Sequence, residues 1–416
     1  MRSKRHPMIE ALTGLSGNPR ICVFTEPLWG VPYNLYLPFA SVYMLALGLD
    51  DAQIGLIASV GLFFQIFWSL ASGPITDRLG RRLTTLIFDC VSWSLPTLVW
   101  AFARDFNWFL AAAVLNAVLR VTMNSWSLLL VEDAPRGKLV SIWSWVNIAG
   151  IVSGLFSPLA SLLVAKLSMV TAVRILYLNA FVLMTAKFVI LFFMGTETAQ
   201  GRERMAQTAR TPFWRLFGGY SGSFSKILSS RYTLYAFFIA LVLLINDTVR
   251  GAFWSIMVVK QLGLPDSSIA IFPLPRALLM LAFYFFVTPR LDHLRLKKPF
   301  LAGFALMIAS NLALVLSPHG SWALVFLSAL LDAAAVALIS PFKETLMVDA
   351  VEPKDRAGVM ALINVSTLLL ATPFGWIAGL LSEESRYLPF FLLMLTAAIG
   401  FLLTLGIVRH KEAFSE

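Results

Sequence analysis

Charged side chains are scarce in this chain of 416 residues. Only 13% of its residues are charged, whereas 58% are hydrophobic. A soluble globule of this length needs far more polar surface than that to face water. The composition therefore excludes a soluble protein and predicts an integral membrane protein.

Cysteine and histidine are also rare, with two cysteines and four histidines in the whole chain. Cys22 and Cys90 lie in apolar segments with no histidine beside them, so they offer neither a disulfide framework nor a metal site. The sequence contains no phosphate-binding glycine loop and no catalytic dyad. We expect no enzyme activity, no metal and no cofactor.

Acidic residues are outnumbered by basic ones, which gives a formal net charge of +10. In a membrane protein, Lys and Arg collect on the cytoplasmic side and raise the net charge without any nucleic-acid partner. We therefore expect contacts with membrane lipids and a small-molecule substrate, and no nucleic acid. Nothing in the sequence requires a second copy, and a monomer is expected.

Apolar runs of span length are what the sequence has in abundance. A helix needs about 20 apolar residues to cross a bilayer. Twelve candidates are found, six on each side of a polar stretch. They are residues 21–48, 52–72, 83–103, 107–131, 139–165 and 171–195, then 232–262, 267–288, 299–316, 321–349, 357–381 and 386–408.

These spans divide the chain into five parts. A bundle of six helices at 21–195 and another at 232–408 are joined by a linker at 196–231, with end segments at 1–20 and 409–416. Basic residues recur in alternate connections, as at Arg78 to Arg82, and are sparse in the others. By the positive-inside rule, both termini and the linker face the cytoplasm of a multi-pass protein of the cell (inner) membrane.

The two halves share a repeat. Asp77 and Asp292 are separated by 292 − 77 = 215 positions, and Pro158 and Pro373 have the same separation. A common offset indicates duplication of a six-span unit in one orientation. The prediction is an all-α integral membrane protein with twelve transmembrane helices in two pseudo-symmetric bundles, with substrate bound between them.

The most specific motif is the basic, glycine-punctuated stretch Gly73-Pro-Ile-Thr-Asp-Arg-Leu-Gly-Arg-Arg82 between spans 2 and 3. It resembles the signature loop of the major facilitator superfamily, from which only Ile75 departs. With the twelve spans and the repeat, the resemblance covers essentially the whole chain. It implies the fold and a secondary transporter working by alternating access, but it does not identify the substrate.

The resemblance also implies a cytoplasmic gate. Asp77 is expected beside the start of span 11 near Ala357, because a helix N-terminus stabilises an anion. Arg81 is expected to pair with Glu132 or Asp133. In the alternative interpretation these charges only end helices and fix topology. The expected gating residues are Gly73, Asp77, Arg78, Gly80, Arg81, Arg82 and Asp133, with Asp292, Lys297 and Asp349 in the second copy.

Span 4 carries Asn116, Arg120 and Asn124 at i, i+4 and i+8, so one helix face is expected to present all three. This resembles the Arg-bearing motif in the family's proton antiporters, although Met123 and Asn124 replace the expected residues. The run from Gly150 to Pro158 resembles their span 5 motif in part. The resemblance slightly favours an antiporter over ordinary helix packing.

Acids deep in the spans are the candidates for carrying protons. In the low-dielectric centre of a bilayer, a carboxyl favours its protonated form unless a cation compensates. Asp332 has no cation within a turn and is the first choice, against an ion pair with Arg120 or Arg276. Asp247 has Arg250 at i+3 and can form a neutral pair. Glu26 and Arg120 complete the set, and Asp332→Asn is expected to abolish proton coupling.

Substrate contacts are expected from polar and aromatic residues on the spans that line the cavity in this family. For most of the aromatic residues, a lipid-facing position is the simpler interpretation. The candidates are Tyr33, Asn34, Asn116, Arg120, Asn124, Asn246, Asp247, Arg250, Trp254 and Asp332.

The leading functional hypothesis is proton-coupled export of drug-like or amphiphilic molecules, powered by the proton gradient. The alternative is proton-coupled uptake of a polar nutrient or an organic anion, for which Arg120, Arg250, Arg276 and Lys343 provide a positive site. A lipid flippase or a receptor that does not transport is a third hypothesis.

Overall fold

A computed structural model of the chain describes residues 12–135, 138–212, 231–283, 286, 297–349 and 356–411. Within these ranges the protein is helical and contains no β-strand. Ten of the helices are long and apolar enough to cross a membrane, judged by length and composition. These ten correspond to predicted spans 2–7 and 9–12. Span 1 is divided by a 3-10 turn, and span 8 is described only in part.

The first bundle has breaks in four of its six spans. Span 1 is interrupted by a 3-10 turn that contains Pro38, span 3 by a π-helical turn, and spans 4 and 5 by short non-helical steps. The helical pieces are Gly17–Tyr36, Leu37–Phe39 and Ala40–Ala46; Asp51–Leu79; Arg81–Asp89, Cys90–Ser94 and Leu95–Phe102; Phe106–Asn116 and Leu119–Val131; Leu139–Gly154 and Pro158–Lys166; and Met169–Met194.

The linker begins with a helix at Ala199–Thr208, and the second bundle follows. Span 7 ends in a π-helical turn, and span 8 begins with a 3-10 turn. The pieces are Arg231–Ile256 and Met257–Gln261; Asp266–Ile271 and Pro273–Ala282; Lys297–Val315; Trp322–Asp349; Arg356–Glu384; and Leu388–Lys411.

The stretch predicted as a loop after span 2 is mostly helix. Span 2 runs through Pro74 to Leu79, and the connection to span 3 is the single residue Gly80. Gly80 has φ +83°, a left-handed backbone that a residue with a Cβ rarely adopts. The turn is that short because glycine ends one helix and starts the next without an intervening loop.

The two bundles meet through spans 2 and 11 and through spans 5 and 8. Glycines permit the first contact, since a Cβ at Gly379 would lie 2.7 Å from the Asp51 carbonyl oxygen and one at Gly375 would lie 2.8 Å from that of Gly55. Where spans 5 and 8 meet, the Ser157 hydroxyl donates to the Ala270 carbonyl oxygen at 2.9 Å. Small residues therefore let the halves close tightly at one face of the membrane.

Candidate functional site

A cavity of about 430 Å³ lies between the halves. Arg120 of span 4 forms its first-half wall, and the remaining lining residues come from spans 7, 9, 10 and 11. Charged or amide side chains are prominent among them. The lining residues are Arg120, Ala240, Leu243, Leu244, Asn246, Asp247, Met307, Val336, Ile339, Ser340, Lys343, Met360, Asn364, Thr367 and Leu368.

The cavity extends toward the face where span 2 ends and span 3 begins, which we call the basic face. Lys343 lies near the end of span 10 and Met360 near the start of span 11, both at this face. At the opposite face, the Ser382 hydroxyl donates to Asp51 Oδ2 at 2.6 Å and the Trp376 amide donates to Ser59 Oγ at 2.8 Å. The structure is therefore closed at the face opposite the basic one.

Asp247 is the acidic group of the cavity. Its side chain is exposed and, among the residues that the structure describes, forms neither a hydrogen bond nor an ion pair. It lies close enough to Arg276, Asp332 and Lys343 for their charges to interact. The pair with Arg250 that the i+3 spacing predicts is absent, because Arg250 turns toward span 10 instead.

Arg120 is the basic group on the other wall. Its Nε donates to Gln65 Oε1 of span 2 at 2.8 Å, and no described acid pairs with it. A guanidinium held by a neutral amide keeps its full charge and several free donors. Arg120 and Asp247 therefore present opposite charges to the same cavity from different halves.

Asp332 occupies a different environment from the one expected. It is 3% exposed, and its two oxygens pair with Arg250 Nε at 3.3 Å and Arg276 Nη1 at 3.0 Å. Arg250 also donates to Asn311 Oδ1 at 3.0 Å. The cross-helix pair with Arg276 was one of the stated alternatives, while Arg120 takes no part. Asp332 is thus the centre of an ion cluster, and its expected role in proton coupling stays a prediction.

The three asparagines proposed for substrate binding are used within the first bundle. Asn116 donates to the Ser92 carbonyl oxygen at 2.7 Å, Asn124 to the Thr76 hydroxyl at 3.2 Å, and Asn34 to the carbonyl oxygen four residues earlier at 2.8 Å. Span 4 breaks between Asn116 and Leu119, so the i, i+4, i+8 face is not continuous. None of the three lines the cavity.

Tyr33 and Trp254 also lie outside the lining residues. Tyr33 stacks on Trp29 with ring centroids 4.7 Å apart and meets Trp93 edge-on at 5.7 Å. Trp254 packs edge-on against Phe272 at 5.3 Å. These aromatic residues fill gaps between helices of one bundle, and neither Tyr33 nor Trp254 is among the described residues that line the cavity.

Glu26 is paired within the first bundle. Its Oε2 lies 2.8 Å from Lys187 Nζ of span 6, and both side chains are buried. It therefore lies away from the cavity, like Asp332. The sequence predicts Glu26 as a proton-coupling residue, but its partner Lys187 on span 6 could not be recognised from spacing.

Arg81 joins span 3 to span 4 at the basic face. Its guanidinium contacts both oxygens of Glu132, with Nε 3.0 Å from Oε2, and it also reaches Asp77 at 3.1 Å. Glu132 is one of the two acids expected for this role. Asp133, the other, instead accepts from the amide of Ala199 in the linker helix at 3.1 Å.

The remaining gating candidates contact the linker or lie beyond the described side chains. Arg78 donates to the carbonyl of Thr208, and Arg82 lies over the ring of Phe192 at 4.2 Å. Gly73 is inside the helix of span 2, and Lys297 begins span 9. Asp292 and the side chain of Asp349 lie outside the described residues, so the second copy of the gate stays a prediction.

Glu197, which sequence reasoning missed, organises this region. Its two carboxylate oxygens accept from the amides of Arg81 and Arg82, each at 3.0 Å. A Cβ at Gly80 would lie 2.5 Å from the same carboxylate. The available signal was an acid directly before the helix-capping Thr198. The first-half signature is thus bound to the linker.

Comparison with known families supports the resemblance that the signature motif indicates. The sequence profile of the Major Facilitator Superfamily matches residues 30–275 and 236–415. D-xylose-proton symporter-like 2 of Arabidopsis thaliana is 29% identical over 110 residues, a match that covers 26% of this chain and only 22% of that relative.

Solved structures share the fold at low sequence identity. The nucleoside transporter NupG (D323A mutant) has 14% identity and a TM-score of 0.74, with 94% of this chain and 99% of that chain covered. A POT family transporter in complex with 5-aminolevulinic acid has 14% identity and a TM-score of 0.73, with 96% of each covered. A D-xylose-proton symporter has 14% identity and a TM-score of 0.70, with 93% of this chain and 96% of that chain covered. At such identities the likeness shows the fold alone.

Proposed function

Because the chain belongs to the major facilitator superfamily, we propose that it carries a small, polar, charged solute across the cell membrane by alternating access. The two bundles rock about the cavity, which is open to one face at a time. The excess of Lys and Arg places the basic face in the cytoplasm, with both termini there. In this arrangement the structure represents the state that is open to the cytoplasm.

The observation that carries the proposal is the charge pattern of the cavity. Arg120 in the first half and Asp247 in the second are accessible, and Lys343 lies on the same lining. A solute with a carboxylate gains most from Arg120, since a guanidinium binds carboxylates with two parallel hydrogen bonds. An amino group on the same solute is complementary to Asp247.

This pattern favours uptake of a polar nutrient or organic anion over export of amphiphilic drugs. Most small-molecule sites are lined mainly by apolar side chains, and their few polar groups give the specificity. In this cavity those groups include the charged residues Arg120, Asp247 and Lys343. Here the expected aromatic residues, Tyr33 and Trp254, are packed elsewhere in the bundles. The structure with 5-aminolevulinic acid, a molecule with one amino and one carboxyl group, supports the proposal by analogy of fold.

Proton coupling is part of the proposal. Asp247 is exposed to the cavity and free of partners among the described residues, so its protonation can respond to the bound solute. A protonated Asp247 no longer attracts an amino group, which links solute binding to proton binding. The two relatives named as D-xylose-proton symporters support coupling by analogy.

Ligand-induced thermal stabilisation tests the substrate class, because a ligand that binds the folded state raises its melting temperature. The panel contains amino acids, dicarboxylates, a sugar, a nucleoside and a lipophilic cationic dye. We expect stabilisation by amino acids or carboxylates that is lost in Arg120→Gln and in Asp247→Asn. Ser317→Ala, at the end of span 9, is the matched control. Stabilisation by the dye alone would support the drug-export alternative instead.

A further inference from the structure

A second group of charged side chains lies inside the first bundle, away from the cavity. It consists of Glu26 on span 1, Asp89 on span 3 and Lys187 on span 6, which we call the buried triad. Their exposed fractions are 8%, 5% and 5%. Three different spans therefore contribute an ionisable group to one interior location.

The contacts within the triad are unequal. Lys187 Nζ lies 2.8 Å from Glu26 Oε2. Asp89 instead accepts a hydrogen bond from the Thr122 hydroxyl of span 4, and it is close enough to Lys187 and Glu26 for their charges to interact. The single cation is thus committed to Glu26, and Asp89 has a neutral hydroxyl as its direct partner.

Counting charges shows an excess of acid. The other titratable groups within electrostatic range are the thiols of Cys22 and Cys90, which are neutral in an apolar interior and supply no positive charge. The rings of Trp29 and Trp126 flank Lys187 at 5.7 and 5.4 Å. With both acids ionised, the triad would carry one uncompensated buried negative charge, which is strongly unfavourable. One bound proton removes that charge.

The backbone beside Asp89 departs from regular helix. The π-helical turn Cys90–Ser94 follows directly, and Asn116 of span 4 takes up the Ser92 carbonyl oxygen at 2.7 Å. In the same turn, the Ser94 hydroxyl bonds with that of Thr185 on span 6 at 2.7 Å. Such turns are frequent at functional sites. This one ties Asp89 to the spans that hold Thr122 and Lys187.

We propose that the buried triad is a proton-binding site of the first half, holding one proton on Asp89. The proton is taken up by a carboxylate oxygen and released to water, with no other bond changed. The role of the triad in coupling rests on the proposed proton-driven transport. Its ability to bind a proton does not depend on that proposal. When the proton leaves, the net negative charge requires water or a cation, so release is linked to movement of spans 1, 3 and 6.

Infrared spectroscopy of the full chain in lipid bilayers tests the site without any solute. The carbonyl stretch of a buried carboxylic acid is followed in pH-difference spectra. We expect a carboxylic acid band at neutral pH in the unmodified chain that is lost in Asp89→Asn. The band is also lost in Glu26→Gln, because the remaining acid then pairs with Lys187. It is expected to grow in Lys187→Gln, where two acids have no cation.

Asp247→Asn is the matched control and should leave this band in place. Monodisperse elution and thermal unfolding verify that each variant is folded, and Thr122→Val provides a milder variant that should shift the band without removing it. Absence of the band in the unmodified chain, or its persistence in Asp89→Asn, overturns the proposal. Because no solute is used, failure here is distinguishable from failure of the transport assignment.

Discussion

Asp332 and Asp247 are acids of the same half, and their surroundings assign them different roles. Asp332 is buried between two arginines, whereas Asp247 is exposed to the cavity. The ion pairs of Asp332 with Arg250 and Arg276 join spans 7, 8 and 10. A carboxylate exposed to the cavity is available to a solute or a proton.

The residue-level prediction concerns Asp332→Asn. Loss of this carboxylate leaves Arg250 buried without a counter-ion, and breaking a buried ion pair costs about 3 kcal/mol. We expect a clearly lower thermal unfolding temperature in detergent. Asp247→Asn, the matched control, should unfold near the temperature of the unmodified chain. Equal unfolding temperatures for all three proteins would contradict the assignment of Asp332 to a structural cluster.

Among the elements, the linker helix Ala199–Thr208 is bound to the first bundle at its basic face. Glu197 holds the first amides of span 3, and the Thr198 hydroxyl donates to Glu132 Oε2 at 2.5 Å. Thr208, at the other end, donates to the Asp77 carbonyl oxygen at 3.1 Å. The signature residues therefore serve as an attachment for the linker, in addition to any role between the halves.

We predict that Glu197→Ala loosens this attachment. Removing a carboxylate from helix-terminal amides costs about 1–2 kcal/mol. Amide hydrogen exchange in residues 81–85 and 199–208 should accelerate about fivefold or more. Glu203→Ala is the control, since the one hydrogen bond of its side chain within the described part of the chain comes from Gln207 on the exposed side of the same helix. Unchanged exchange in the Glu197 variant would show that the linker is held by other contacts.

The contact between spans 2 and 11 is a second element-level device, because glycine allows the two backbones to touch. A side chain at Gly379 would clash with the backbone of Asp51 and Ala52. We predict that Gly379→Val opens the face opposite the basic one. A membrane-impermeant thiol reagent applied from that face should label Ser59→Cys faster in this background. Gly150→Ala, where a Cβ meets nothing within 4 Å, should not change the labelling rate.

At the scale of the whole molecule, the fold was accessible from the sequence, and the site only in part. Span lengths and the signature motif depend on local composition, which is why the all-helical membrane fold and the family were predicted correctly. The partner of Asp332 depends on which faces of spans 7, 8 and 10 meet, which spacing along one helix does not determine. Because span 4 breaks after Asn116, Asn116 and Asn124 do not lie on the one continuous helix face that their spacing predicts.

Some residues of the cavity were predicted from the sequence. Arg120, Asn246 and Asp247 were predicted as substrate contacts and line the cavity. All three lie near the middle of spans 4 and 7, where a polar residue is costly unless it faces a cavity or a partner. Asn364 and Thr367 were missed as lining residues, because hydropathy does not tell which face of span 11 meets the first half.

Solute counterflow in proteoliposomes tests the central claim, that the cavity carries a polar charged solute between the halves, most directly. Vesicles are loaded with the unlabelled solute that stabilises the protein most, and entry of its labelled form is measured. We predict entry well above that of protein-free vesicles, and its loss in both Arg120→Gln and Asp247→Asn. Entry equal to that of protein-free vesicles, or full activity in both variants, would contradict the account.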